Sequence, residues 1–549
     1  MIISAQEPQT APMLGCRSAS PGRKSKQAAL GGLAAMLLTA FAFWGVGNTL
    51  DMSPDGQSAH LAGAHLLANG WNPIRDPGFE RADEILPKDY PLRDAVGAAF
   101  AQGYHAKAAA KGVYYRAASA VVFFGDFDIG RGFNLLAIAA AFLLAAAAAS
   151  LLGLSPFWSA AVGAAAALNP VAVNQALSSY VDGQLAMLLT SLLALGVILA
   201  RSKSRLATAG FGAAMILAIG AKLTGFFYAG FLGFCVVLFL RRWTGAYRAA
   251  WTFVAASAVG TLLVGYSPIV SNMINDGRPF RYLRNVVIWE NPLVERHDRL
   301  TKLAISLFSE TDAKLAAPQL KAPFAITRSE WRDLRQVTDA GARIGGFGPW
   351  MGGLIASSAA IAALAAVRRL RGRGVLLVAV AIIIGSALAN PEAWRAHLSP
   401  QIWLVPLAVA LFGLLQKPTS DIAVFARALC VAVLLNAGFV AFKSVYRQAN
   451  YQMAANGILD VMADLDRRLT VDLGNSRINQ ILLRNRGIAF REVDDIKACP
   501  AAFRTPDLNV EVCVLPRDER ATAALREVEA YEARLRRAGA AYPLILSGR

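Results

Sequence analysis

The sequence predicts a polytopic α-helical membrane protein that ends in a small soluble α/β domain. Three observations predict it. Of 549 residues, 55% are hydrophobic, and the mean hydropathy is +0.42. Apolar runs of about 20 residues, long enough to span a bilayer as helices, recur along most of the chain. The Lys and Arg residues behind the net charge of +18 fall mainly in short loops between those runs, the mark of a cytoplasmic membrane face. That charge does not indicate nucleic acid, because neither a nucleic-acid motif nor an aromatic-basic platform accompanies it.

Residues 1–27 form a polar tail ending in Arg23-Lys24-Ser25-Lys26, so residues 28–48 read as an uncleaved signal anchor with its N-terminus inside. Further spans are expected at 133–152, 156–173, 185–200, 206–220, 223–240, 249–269, 350–367, 375–389, 402–415 and 422–442. Together these are about eleven crossings, and they leave every Arg/Lys-rich short loop on one side. Residues 112–125 are apolar but short and read as a helix lying at the interface. Large outer loops are expected at 49–132 and 271–346, within a membrane domain of residues 28–446.

Residues 447–549 read as an outer α/β domain, with helices at 451–469, 478–486 and 520–537 and strands at 470–473, 490–493 and 510–515. Of five cysteines, Cys235 and Cys430 lie in apolar helices. Cys499 and Cys513 lie in this soluble segment and can pair outside the cytoplasm.

The first outer loop opens Leu50-Asp51-Met52-Ser53-Pro54-Asp55. Ser53 suits an N-cap, Pro54 the first helical position, and Asp55 the positive end of a helix predicted to stop at Asn69-Gly70. This helix holds Asp51, Asp55, His60 and His65 against the bilayer. A second outer turn carries Tyr180 and Asp182, and Lys222, Arg395, Lys111 and Arg116 lie at expected outer boundaries. All five histidines, including His105, His297 and His397, fall on the same side. His60 and His65 are five apart and leave different faces of a helix, so no metal site is assigned, with a divalent metal held by the outer histidines as the alternative. With no Gly-rich phosphate loop, a cytoplasmic nucleotide-sugar donor is disfavoured, and no cofactor is expected.

This layout resembles the GT-C superfamily of polytopic glycosyltransferases, which includes protein mannosyltransferases and aminoarabinose transferases. Asp51 and Asp55 match the family's first-loop acidic motif, and Asn169-Pro170, Tyr180 and Asp182 match its second acidic turn. Tyr104, His105 and Lys107 or Lys111 stand where members carry a Tyr-Pro-Lys element, without the proline. Asn390-Pro391-Glu392-Ala393-Trp394 and Pro400-Gln401-Ile402-Trp403 look like uncharacterised bacterial members, with His397-Leu398 where an Arg-aromatic pair is expected.

The resemblance implies inverting sugar transfer from a polyprenyl-phosphate donor to an envelope glycan, lipid or protein on the outer face of a bacterial inner membrane. Such chemistry needs a base for the acceptor proton and cations for the departing phosphate. Asp55 is the leading base and Asp51 its rival, with Asp182 positioning the acceptor or the partner carboxylate. Lys222, Arg395, His397, Lys111, Arg116, His60 and Tyr180 are the candidate substrate and phosphate contacts. The competing readings are a flippase or transporter, a polymerase or ligase for lipid-linked glycans, and a noncatalytic assembly subunit. A transporter is disfavoured because neither repeated halves nor midplane acidic residues are evident.

Overall fold

The computed structural model describes residues 21–47, 49–51, 53, 56, 60–72, 112–124, 128–202, 204–241, 246–279, 297–311, 319–332, 340–464, 468–473 and 480–493, with short pieces beyond to residue 530. A helix stands at each of the eleven expected spans. These are α1 (Pro21–Gly47), α4 (Gly132–Leu151), α5 (Pro156–Ala167), α7 (Asp182–Arg201), α8 (Arg205–Ala221), α9 (Leu223–Leu240), α10 (Ala246–Val259), α14 (Met351–Val367), α15 (Arg373–Leu388), α16 (Leu404–Leu414) and α17 (Asp421–Asp464). Five are long and apolar enough to cross a bilayer by length and composition alone, those at Asp128–Leu151, Asp182–Arg201, Leu223–Leu240, Tyr247–Val264 and Asp421–Asp464. Between them lie α2 (Leu61–Ala68), α3 (Gly112–Phe124), α6 (Pro170–Asn174), α11 (Ser271–Asp276), α12 (Arg299–Phe308) and α13 (Arg328–Arg332).

Small residues let these helices approach closely, which matters where lipid gives apolar side chains no reason to prefer one another. Where α4 packs on α5, Ala141, Ala145, Ala148 and Ala149 are buried. A Cβ on Gly163 would stand 2.8 Å from the Phe142 carbonyl oxygen. One apolar core gathers α14 to α17 around Trp403, whose indole N–H donates to the Ala165 carbonyl at 2.8 Å. A second gathers α7 to α10 around Phe211, Met215 and Leu232. Asn436 is buried on α17 and clamps the loop before α14, accepting from the Trp350 N–H at 2.9 Å and donating to the Phe347 carbonyl at 2.8 Å.

The C-terminal part departs from expectation in one respect. The helices expected at 422–442 and 451–469 are a single helix of 44 residues. At 1.5 Å per residue it is roughly 66 Å long, about twice the hydrocarbon core it must cross, so it carries the fold well beyond the bilayer. Lys443, Arg447 and Gln448 mark where it leaves the apolar layer, not where it ends.

Its far end packs Ile458, Leu459 and Met462 against β1 (Leu469–Asp472), which buries Leu469 and Val471 on alternate positions. Helix α18 (Gln480–Asn485) follows, then β2 (Phe490–Glu492), β3 (Ala502–Arg504) and β4 (Glu511–Cys513). The sheet order is β2-β1-β4-β3, with β1 parallel to β2 (Leu469 opposite Phe490) and antiparallel to β4 (Thr470 opposite Cys513). Strand β3 is an addition that the sequence pattern did not predict. Cys499 and Cys513 form the expected disulfide, with Cα atoms 5.7 Å apart. The helix expected at 520–537 falls almost wholly outside the described residues.

Candidate active site

Two polar constellations sit at the end of the bundle that carries the long loops. The first is built on Asp51, where the chain leaves α1. One carboxylate oxygen accepts from the Ser53 N–H at 2.9 Å and from the Ser53 hydroxyl at 2.7 Å; the other accepts from the Ser179 N–H at 2.9 Å. A residue of the first loop is thereby fixed to the turn that leads into α7. Ser53, expected to cap a helix, serves this carboxylate instead, because the regular helix begins only at Leu61. Its end does fall at Asn69-Gly70, with Gly70 at φ +95°. Asp55 and Lys111 lie outside the described residues, as do Tyr104, His105 and Lys107.

The neighbours of Asp51 hold it from both sides. Leu50 docks on the apolar core of the C-terminal domain. Its N–H donates to Gln452 Oε1 at 2.8 Å, and its carbonyl accepts from Gln448 Nε2 at 3.1 Å. Gln448 and Gln452 are four apart on α17 and so share a face. Across the turn, the Arg131 guanidinium donates to the Thr49 carbonyl at 2.6 Å, the Leu177 carbonyl at 2.8 Å and Asp128 Oδ1 at 2.8 Å.

Gly56 is buried against the same carboxylate: a Cβ there would lie 2.6 Å from Asp51 Oδ2 and 2.1 Å from the Ser53 hydroxyl. Gly56→Ala therefore displaces Asp51 or breaks its Ser53 bond, at a cost of about 1–3 kcal/mol. The expected outcome is a lowered thermal midpoint together with at least a tenfold loss of the protein's activity; Ser or Ala at nearby Gly70, where a Cβ meets nothing within 4 Å, serves to calibrate ordinary glycine strain.

The second constellation is built on Asp182, the first residue of α7, buried at 2% exposure. Lys222 Nζ lies 2.5 Å from its Oδ1, and Gln175 Nε2 lies 3.5 Å from its Oδ2. Gln175 also donates to the Ala340 carbonyl at 2.8 Å and accepts from the Gly183 N–H at 2.7 Å. Lys222 stands in extended backbone between α8 and α9, which frees its side chain to cross to α7. Its place at a span boundary is accounted for by this ion pair with buried Asp182.

His397 completes this group on a short turn of 3₁₀-helix, Ala396–Leu398. Two bonds pin that turn: Tyr228 on α9 donates to the Leu398 carbonyl at 2.5 Å, and Ser399 donates to the Ala393 carbonyl at 2.6 Å. His397 Nδ1 lies 3.3 Å from the Ala342 carbonyl, which can only accept, so Nδ1 carries the ring proton and Nε2 the lone pair. Removal from water pushes the His397 pKa down to about 4, outweighing the pull of nearby Asp182, while Lys222 and Arg395 push the same way as burial. A neutral imidazole therefore stands where the sequence reading placed a phosphate contact.

Arg395 pairs with Glu392 at 2.9 Å, stacks over Trp394 at 4.8 Å, and senses the charge of Arg343. Lys222, Arg343 and Arg395 thus face the carboxylates of Asp182 and Glu392, a surplus of one positive charge. Beside the Ser179 turn lies a small cleft of about 30 Å³, lined among others by His60, Tyr114, Arg116, Ser179, Tyr180 and Gln184. Arg116 is lowered by burial to about 10, still protonated at neutral pH. Among the described residues no cluster of three metal-ligating side chains occurs.

The histidines set a pH dependence. His65, buried on α2, is held down to about 3 by desolvation, as His397 is to about 4. Between pH 6.5 and these values the unfolded chain binds protons that the folded chain refuses, so stability is full above pH 6.5 and falls as pH falls through that window. The expected thermal midpoint is lower at pH 4.5 than at pH 7.5, and His397→Gln should shrink the difference; equal midpoints would contradict these burials.

No family model and no curated protein matches the chain. Among solved structures, the chain is similar to ArnT. The match to ArnT from Cupriavidus metallidurans bound to undecaprenyl phosphate has 15% identity over 92% of this chain and 91% of that one, with a TM-score of 0.40. The match to apo ArnT from the same organism has 16% identity over 85% and 87%, also with a TM-score of 0.40.

Of the residues singled out from the sequence, Asp51 and Tyr180 meet around the Ser179 turn, and Asp182, Lys222, Arg395 and His397 meet on the other side of Gln175. His60 and Arg116 line the cleft. Sequence reading missed Arg131, Asn134, Gln175, Gln184 and Arg343. Asn134, a polar residue at the head of an apolar run, carried a signal in its rarity; the others lie among further polar loop residues and do not stand out.

Proposed function

We propose that the chain is a membrane glycosyltransferase that moves a sugar from a polyprenyl-phosphate carrier to an envelope glycan, lipid or protein acceptor. The observation that carries the reading is the tie between Asp51 and the Ser179 N–H. It draws the acidic opening of the first loop onto the acidic turn of α7, beside a group with surplus positive charge.

In this reading the acceptor hydroxyl attacks the anomeric carbon and the bond from that carbon to the phosphate oxygen breaks. The hydroxyl proton passes to an aspartate, Asp55 or Asp51, and the phosphate leaves on its lipid carrying the bonding electrons. Asp182 orients the acceptor, while Lys222, Arg343 and Arg395 together outnumber the carboxylates of Asp182 and Glu392 by one and offer that charge to the departing phosphate. Neutral His397 can pass or accept a hydrogen bond at Nε2. In this reading the loop-rich end faces the outer side of the inner membrane, and the basic short loops of the opposite end support that orientation.

Deleting the gene in its host tests this directly. The expected result is accumulation of one polyprenyl-phosphate monosaccharide and loss of one sugar from an envelope component, both reversed by the wild-type gene. An unchanged lipid-linked pool with unchanged envelope glycans would contradict it.

A further inference from the structure

Residues 319–332, between α12 and α14, turn their charge inward and their apolar side chains outward. Glu330 is fully buried and accepts from the Thr311 N–H at 2.9 Å, from the Thr327 N–H at 3.1 Å and from the Lys321 ammonium. Lys321 is the one charge in Gln319–Ile326, so this pair leaves that stretch with an apolar exterior. Leu320 is 68%, Phe324 42% and Trp331 62% exposed. Backbone bonds from the Glu310 N–H to the Gln319 carbonyl at 2.8 Å and from the Lys321 N–H to the Phe308 carbonyl at 3.0 Å hold the stretch to the end of α12. A fully buried carboxylate is thus committed to presenting three large apolar side chains to the outside.

Two spanning helices fix the depth at which they stand. Trp331 stacks on Phe439 of α17 at 5.9 Å, and its carbonyl accepts from Lys443 Nζ at 2.5 Å. Lys443 is 22 residues beyond Asp421, where α17 begins. At 1.5 Å per residue that is roughly 33 Å, about the thickness of the hydrocarbon core. Phe324 meets Trp350, at the start of α14, edge-on at 6.0 Å. The patch therefore lies at the boundary of the apolar layer, continuous with the exposed Leu435 and Phe442 of α17. Tryptophan favours that boundary, where one part of the ring is dry and the other wet. Exposed Arg328 and Arg332 flank Trp331 and have no carboxylate partner among the described residues, so the patch carries positive charge on its polar side.

We propose that residues 319–332 seat on the leaflet at the loop-rich end, with Leu320, Phe324 and Trp331 among the upper acyl chains and Arg328 and Arg332 on anionic phospholipid headgroups.

Spin labelling of the full chain in proteoliposomes tests this seat. Nitroxides are placed at Leu320→Cys, at Leu435→Cys on the exposed side of α17 and at Asn485→Cys on exposed α18, with Cys16, Cys235 and Cys430 changed to Ala. In phosphatidylcholine vesicles containing phosphatidylglycerol, the ratio of oxygen to nickel-chelate collisions at 320 should exceed that at 485 by about threefold or more and approach that at 435. Omitting phosphatidylglycerol, or combining Arg328→Gln with Arg332→Gln, should lower the ratio at 320 and leave that at 435 unchanged. A label at 320 as open to the chelate as that at 485 would overturn the proposal, as would a ratio there that ignores both changes. Loss of access to both reagents would also overturn it, because protein rather than lipid would then cover the patch. The collisions read no sugar transfer, so the seat stands or falls independently of the transferase reading.

Discussion

Asp182→Asn lowers sugar transfer by about a hundredfold or more while the chain still folds. Asp182 holds Lys222 at 2.5 Å and lies against Gln175, with its side chain 3% exposed and that of Lys222 28% exposed. Breaking a fully buried pair costs about 3–5 kcal/mol because the surviving charge is stranded. Here the surviving ammonium keeps access to water, so the cost falls at or below the bottom of that range. The activity loss is larger in consequence, because the freed lysine no longer holds its place and the residue proposed to orient the acceptor is gone. A double-mutant cycle with Lys222→Met separates these effects. The pair should show a coupling of about 1–3 kcal/mol in stability, so the double variant recovers thermal midpoint relative to Asp182→Asn. It should not recover transfer. Full recovery of transfer in the double variant would reduce the pair to a structural staple.

Asp51→Asn should be as damaging, for a different reason. The asparagine side chain cannot accept at both ends. Whichever way it turns, an amide N–H faces either the Ser179 N–H or the Ser53 N–H and hydroxyl, in place of bonds of 2.7–2.9 Å. An unmet donor of this kind costs about 1–3 kcal/mol, and the first loop loses its attachment to the turn before α7. If Asp51 is also the base, transfer falls by about 10²–10⁴-fold. Measured kcat for Asp51→Asn beside Asp55→Asn assigns the base. A loss near tenfold in the first with collapse in the second would leave Asp51 as the residue that holds the two loops together. The reverse would make Asp51 the base.

Much of the fold was legible because bilayer physics is coarse. A helix must carry about 20 apolar residues to cross, and basic loops stay on one side, so the eleven spans and the short helix of α3 could be placed from composition alone. Helix α17 was misread as two because polarity returns at Lys443 to Gln452. In a water-soluble helix that would suggest an end; here it marks the exit from the apolar layer. The β3 strand escaped because three residues, Ala502–Arg504, carry too little alternation to register.

The site was legible only in its charges. Asp51, Asp182, Lys222 and Arg395 stand out as ionisable residues at span boundaries, and three-dimensional structure brings them to one end. The amides that organise them do not stand out. Gln175 connects Asp182 to Ala340 across 165 residues, and Asn134 reaches Gln175 across 41. No local spacing encodes contacts of that range. The role of Leu50 was equally hidden, since its partners Gln448 and Gln452 lie some 400 residues away on the last long helix.

The most direct measurement is the release of polyprenyl phosphate from labelled polyprenyl-phosphate monosaccharides in proteoliposomes of the full chain, supplied with a total envelope extract as acceptor. The account predicts that wild type converts at least one donor to polyprenyl phosphate with the label appearing in an acceptor, and that Asp182→Asn and Asp51→Asn, still folded by thermal midpoint, do not. Wild type that consumes no donor, or that moves the intact lipid across the bilayer without releasing its sugar, would contradict it.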